Sequence, residues 1–237
     1  LVSVHVRGDA GRAERTIAGY LQRIQAQDVF NTRDAERYLL LARDIPGYDV
    51  RLVLRPAGTA PGELSGELTV ERRLMDLDFT LQNHGSRDVG RFGGLLRAQV
   101  YGLTGLADRT TLGVYSTSDF REQQVYQLSH DFRLGPEGVS VGGRLAYAET
   151  RPATGVSTSA APLGARTLLA TLEAGHAPLR TQARTLGLAG GLEVINQTLR
   201  LGPALLAQDR LRVLFVRADF ALADARAFGR APGGEPA

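Results

Sequence analysis

The chain has 237 residues, 43% of them hydrophobic, which is enough for a packed core and argues against disorder. Its 28 basic residues are all Arg against 25 acidic ones, giving a formal net charge of +3. The charges are scattered, which speaks against nucleic-acid binding, and the lack of Lys removes Schiff-base and phosphate-loop lysine chemistry. Without cysteine there are no disulfides or thiolate metal sites; without an apolar run of roughly 18 residues there is no transmembrane helix, a test that membrane β-strands escape.

Leu1-Val2-Ser3-Val4-His5-Val6 opens the chain as an alternating strand ended by Gly8-Asp9. With neither Met nor a leader-like segment ahead of it, this start reads as that of a fragment. Ile17, Leu21 and Ile24 then recur at helical spacing and predict an amphipathic helix over about 12–26. Asn31 or Thr32 can cap a second helix, with Asp34 in its first turn and Ala35, Tyr38, Leu39 and Ala42 along one side. Ile45-Pro46-Gly47 stops it. Two strands follow, Tyr48 to Arg55 and Leu64 to Val70, so residues 1–72 read β-α-α-β-β and form the expected first domain.

From about 73 to 222 no helical period remains, and about eight strand-like segments of some 10–14 residues follow one another. Turn signals lie at Asn83 to Arg87, Gly102 to Asp108, Ser118 to Glu122, Gly135 to Gly138, Thr150 to Gly164, Ala177 to Arg180 and Leu201 to Asp209. In several segments the faces separate. Leu77, Phe79 and Leu81 oppose Asp78, Thr80 and Gln82; Phe92, Leu96, Ala98 and Val100 oppose Arg91, Arg97 and Gln99. Two architectures fit this alternation: the wall of an antiparallel transmembrane barrel, apolar outside and polar inside, or a soluble sandwich with its apolar face turned to a core. Phe79, Tyr101, Tyr126, Tyr147 and Phe215 would form the sparse interfacial girdle of a barrel. Residues 223–237, rich in Pro and Gly, read as a disordered tail.

In order and spacing these residues resemble the two-partner secretion transporters, the TpsB-type haemolysin secretion/activation proteins of bacterial outer membranes. Asp44-Ile45-Pro46-Gly47 resembles the signature closing the second helix of their periplasmic POTRA domain, and Leu54-Arg55-Pro56 the strand end after it. Asn83, Gly85, Ser86, Arg87 and Gly90 fill the family's first hairpin turn. Gly102, Leu103, Gly105, Leu106, Asp108 and Arg109 resemble the next, from which Tyr101, Thr104 and Ala107 depart. The lumenal V-R-G-Y motif is missing; Val216-Arg217-Ala218-Asp219 is not a match.

The resemblance implies a POTRA domain at 1–72 and the first half of an outer-membrane barrel at 73–222, a part of a sixteen-stranded transporter that is monomeric at full length. Its partner would be a secreted TpsA-type exoprotein, met as unfolded polypeptide in the periplasm, and its surroundings outer-membrane lipid. The edge strand Val50, Arg51, Leu52, Val53 and Leu54 would take the polypeptide by β-augmentation. Arg87, Arg91, Arg97, Gln99 and Arg144 would face the lumen or its periplasmic mouth, while Asp44, Pro46, Gly47, Asn83, Gly85, Ser86, Gly90 and Asp108 would serve the turns. An assembly factor that inserts other outer-membrane proteins is the neighbouring alternative.

Nothing in the sequence asks for catalysis, a cofactor or a metal. His5, His84, His130 and His176 sit in four separate segments, and Ser129, His130 and Asp131 alternate faces and cannot converge.

Overall fold

The computed structural model describes residues 3–26, 31–56, 64–152 and 162–223. The chain opens with strand β1 (Ser3–Gly8), a 3-10 turn (Gly11–Ala13), helices α1 (Glu14–Gln25) and α2 (Thr32–Arg43), and strands β2 (Tyr48–Pro56) and β3 (Leu64–Arg72). The order is β-α-α-β-β, and the helix expected from 12 begins with the 3-10 turn before α1 proper. Asn31 caps α2 as expected, its side-chain oxygen accepting from the Arg33 amide at 3.0 Å. β3 is central in the sheet order β1-β3-β2, parallel to β1 and antiparallel to β2, so β2 is an edge. Ile17, Tyr20 and Ile24 of α1 close on Val50, Leu68 and Val70 of the sheet, all at most 2% exposed. Each such aliphatic side chain contributes about 1.5–3 kcal/mol by leaving water, and together they form the molecule's only apolar core among the described residues.

Eight antiparallel strands follow in strict sequence order: β4 (Met75–Gln82), β5 (Gly93–Tyr101), β6 (Arg109–Thr117), β7 (Gln123–Leu134), β8 (Val139–Thr150), β9 (Leu163–Arg180), β10 (Arg184–Leu201) and β11 (Ala204–Leu222). The sheet is open, with β4 and β11 at its edges. Paired residues share a face, so the register sorts the side chains. Leu77, Ala98, Leu112, Leu128, Leu145, Ala170 and Val194 form one continuous row. The opposite face carries Asp78 and Arg97 in one row, and Arg144, Thr171 and Glu193 in another.

The apolar face is not covered by any described residue. Leu77, Phe79, Leu172, Leu214 and Val216 are 61–89% exposed, and no second sheet packs on them among the described residues. The sandwich reading is therefore set aside, because a sandwich buries this face.

Several sequence expectations need correction. Ala177 to Arg180 is strand, with the turn at 181–183. Pro178, which lacks an amide, is absorbed by a bulge in which Ala177 and Pro178 lie opposite Gly187 alone. The turn expected over Leu201 to Asp209 shrinks to Gly202-Pro203, and Gln208 and Asp209 continue β11. Conversely, the first hairpin's turn lengthens to 83–92, leaving Arg91 and Phe92 outside the strands. Strands β4–β8 span 8–12 residues but β9–β11 reach 18–19, longer than sequence alone suggested. Their alternation continues beyond the apolar stretch with polar residues on both faces, which weakens the pattern by which a strand is recognised. Of the aromatic girdle, Phe79, Tyr126 and Tyr147 share an apolar-face row, whereas Tyr101 and Phe215 lie in the row of Arg109, Asp131 and Glu173 on the polar face. The tail from 224 and most of the loop after Thr150 lie outside the described residues.

Candidate functional site

Strand β2 borders a groove of about 440 Å³ whose other wall is α2. Ala35, Leu39 and Leu40 of the helix and Val50 and Leu52 of the strand supply apolar surface, with Glu36, Arg43 and Arg51 at the margins. β2 pairs with β3 on one side only, so its other edge offers backbone donors and acceptors next to an apolar trough. Val53 is half exposed and Arg51 is exposed, its guanidinium 2.6 Å from Asp49. That contact holds the Asp49 carboxyl below the ordinary carboxylate range. Of Leu54 only the backbone lies among the described residues. This arrangement can accept an extended chain through main-chain hydrogen bonds with alternate side chains in the trough.

The groove ends at the wall: Gln182, in the β9–β10 turn, lines it and donates its amide to Glu36 at 2.7 Å. Three turns of the wall meet the N-terminal unit and define one end of the sheet. In the 102–108 turn, Ala107 is fully buried in the N-terminal core and the Leu103 carbonyl accepts from Arg12 at 2.6 Å. In the 135–138 turn, Glu137 meets Arg37 at 3.0 Å and Arg23 at 3.3 Å. Beside the 181–183 turn, Arg180 grips Asp44 with two bonds of 2.7 and 2.8 Å.

The predicted turn residues thus hold more than local geometry. Asp44 is the C-cap of α2 and also the anchor for Arg180, a pairing across 136 positions that no local pattern could announce. Gly47 has φ +78°, and a Cβ there would lie 2.3 Å from the Tyr101 ring, so the Pro46-Gly47 stop is also the seat of a wall aromatic. Tyr101 in turn donates to Asp76 at 2.8 Å.

Asp108 is 0% exposed and organises its turn. Its carboxylate accepts from the amides of Leu103, Thr104 and Gly105 at 2.9–3.1 Å and from the Thr104 hydroxyl at 2.6 Å. Burial alone would raise its pKa, but the Thr104 hydroxyl and the backbone donors outweigh that and hold it below the usual range.

Arg97, Gln99 and Arg144 lie on the polar face by register. Arg87 and Arg91 do not sit at the end beside the N-terminal unit. The 83–92 turn is at the far end of the hairpin, because β4 starts next to that unit and runs away from it. In that turn Gly85 is packed so tightly that a Cβ would fall 1.8 Å from the Gly90 carbonyl oxygen; Asn83 and Ser86 belong to the same turn.

The polar face also carries ion pairs that the sequence did not announce. Asp131 takes Arg109 at 2.9 Å and Arg133 at 3.4 Å, and Arg217 joins Glu173 and Asp219, each at 3.0 Å. Arg109, Asp131, Arg133, Glu173 and Arg217, with Arg144, border a cavity of about 650 Å³ on this face. By register Ser129 and Asp131 lie on this face and His130 on the other, where it meets the Thr110 hydroxyl at 2.8 Å.

An open antiparallel sheet with one bare apolar face, one charged face and an α/β unit docked at one end has the architecture of part of a β-barrel with an adjoining α/β domain. No family model and no curated protein matches the sequence. Among solved structures, CdiB from Escherichia coli is similar at a TM-score of 0.69 and 14% identity, over 94% of this chain and 42% of that one. CdiB from Acinetobacter baumannii is similar at 0.62 and 16%, over 87% and 39%. BamA from Haemophilus ducreyi, in a form lacking POTRA domains 1–3, is similar at 0.56 and 12%, over 97% and 44%. The resemblance to the two-partner transporters read from the motifs is matched in fold, and the chain spans less than half of each of these structures.

Proposed function

We propose that the chain is the barrel-proximal POTRA domain, residues 1–72, and the first half of the barrel, 73–222, of an outer-membrane transporter for an unfolded exoprotein. The observation that carries this reading is the uncovered apolar face of β4–β11 opposite a charged face, with the groove-bearing unit docked at one end. The apolar rows run for about nine residues per strand, for example Leu186 to Val194 and Leu214 to Leu222, which suits a tilted membrane-spanning strand. The groove side is then periplasmic. The open edge of β2 takes the exoprotein as an added strand, and the polar face with Arg97, Gln99 and Arg144 passes it along without covalent chemistry or a cofactor. Likeness to BamA favours a second reading, an assembly factor whose groove receives other outer-membrane proteins.

Because the chain has no cysteine, Val53→Cys gives a single reactive handle on β2. A crosslinker there should capture an unfolded two-partner exoprotein and leave unfolded barrel proteins free. Capture of barrel proteins alone would select the assembly reading, and capture of neither would remove the groove's role.

A further inference from the structure

The far ends of β9–β11 carry a charge pattern that polypeptide transport does not use. On β9, β10 and β11 the apolar row of the outward face stops at Leu168, Val194 and Leu214. The next outward residues are Arg166, Asn196 and Arg212, followed by Thr198, Arg200 and Arg210. At about 3.3 Å per residue and a tilt near 45°, these lie some 5–14 Å beyond the apolar edge, where lipid headgroups begin.

On the polar face Arg109, Arg133 and Arg217 are paired with Asp131 and Glu173, while Arg97 and Arg144 have no carboxylate partner among the described residues. On the outward patch the single carboxylate, Glu149, is taken by Arg151 at 2.6 Å and Arg166 at 3.1 Å. Arg200, Arg210 and Arg212 have no carboxylate partner among the described residues; Arg212 donates only to the Asn196 side-chain oxygen at 3.0 Å and the Leu211 carbonyl at 2.6 Å. A hollow of about 250 Å³ lies between Arg151, Arg166 and Arg200. Exposed guanidinium forks of one sign, uncompensated and directly continuous with a lipid-facing apolar band, complement phosphates carried on acyl chains.

We propose that this patch binds the phosphates of an anionic glycolipid in the leaflet around the far end of the wall, its acyl chains lying on the Leu192 and Leu214 row. The proposal rests on reading the sheet as a membrane wall. It commits to lipid rather than free anion because the arginines and the apolar band form one surface.

The full chain, refolded with phosphatidylcholine vesicles or with the same vesicles carrying about one fifth diphosphoryl lipid A, tests this by flotation. The wild type should prefer the lipid A vesicles, and raised salt should erase the preference. A variant combining Arg200→Gln, Arg210→Gln and Arg212→Gln should lose it by more than tenfold yet still float with phosphatidylcholine alone, and the corresponding Arg→Lys triple should regain most of it. An unchanged preference in the Gln triple, or its abolition by millimolar inorganic phosphate at constant ionic strength, overturns the lipid site. Failure of every variant to float with phosphatidylcholine overturns the membrane wall, a separate result.

Discussion

In the N-terminal unit Leu68 is 0% and Val70 1% exposed, whereas in the wall Leu214 is 84% and Val216 89%. Both regions spend alternating apolar residues on one face of a sheet. In the first, two amphipathic helices cover that face and water is the solvent being left behind; in the second nothing among the described residues covers it. One rule of patterning thus yields a core in one region and an uncovered apolar surface in the other.

The comparison is most sharply tested by truncation at matched positions. Leu68→Ala removes a fully buried side chain and should lower the stability of the N-terminal unit by about 2–5 kcal/mol in denaturant titration. Val216→Ala in micelles should change the unfolding midpoint of the wall hardly at all, and a loss as large as that at Leu68 would mean that the face is packed after all.

Next in size is Asp108. Asp108→Asn keeps the shape but replaces one acceptor oxygen with an NH2 donor facing backbone N–H donors, and should cost about 1–3 kcal/mol with looser docking of the 102–108 turn, read by proteolysis. Since the folded pKa of Asp108 lies below its unfolded value of about 3.9, its contribution is complete at neutral pH. It declines as pH falls through the lowered folded value, so acid unfolding should be shallower in Asp108→Asn than in the wild type.

A smaller effect is expected at the bidentate Asp44–Arg180 contact, whose side chains are 42% and 24% exposed. A double-mutant cycle of Asp44→Asn and Arg180→Gln should give a coupling of about 1 kcal/mol, seen as weakened docking rather than as unfolding of either region. Smallest is the α2 cap. Asn31→Ala should cost about 0.5–1 kcal/mol in the N-terminal unit only, leaving the wall untouched.

Much of this was legible in the chain. The periods of 3.6 and 2 placed the two helices and most of the strands, because a face exposed to one solvent must repeat at the element's own period. Asn31 and Pro46-Gly47 marked helix ends through backbone chemistry that acts within a few residues. The same local reading went astray at Pro178, where a bulge accommodates a residue that reads as a turn signal. It also missed the polar extensions of β9–β11, since alternation without hydropathy contrast leaves little to detect.

Local pattern alone determined the elements, their order and which face of each strand is apolar. Tertiary structure decided what lies against those faces: that β2 is an edge, that no second sheet covers β4–β11 among the described residues, and that Asp44, Gly47 and Ala107 join the two regions. The physical reason is range. Periodicity and capping act over one or two turns of chain, whereas a guanidinium 136 residues away finds its carboxylate only after the sheet register has brought both to the same end of the molecule.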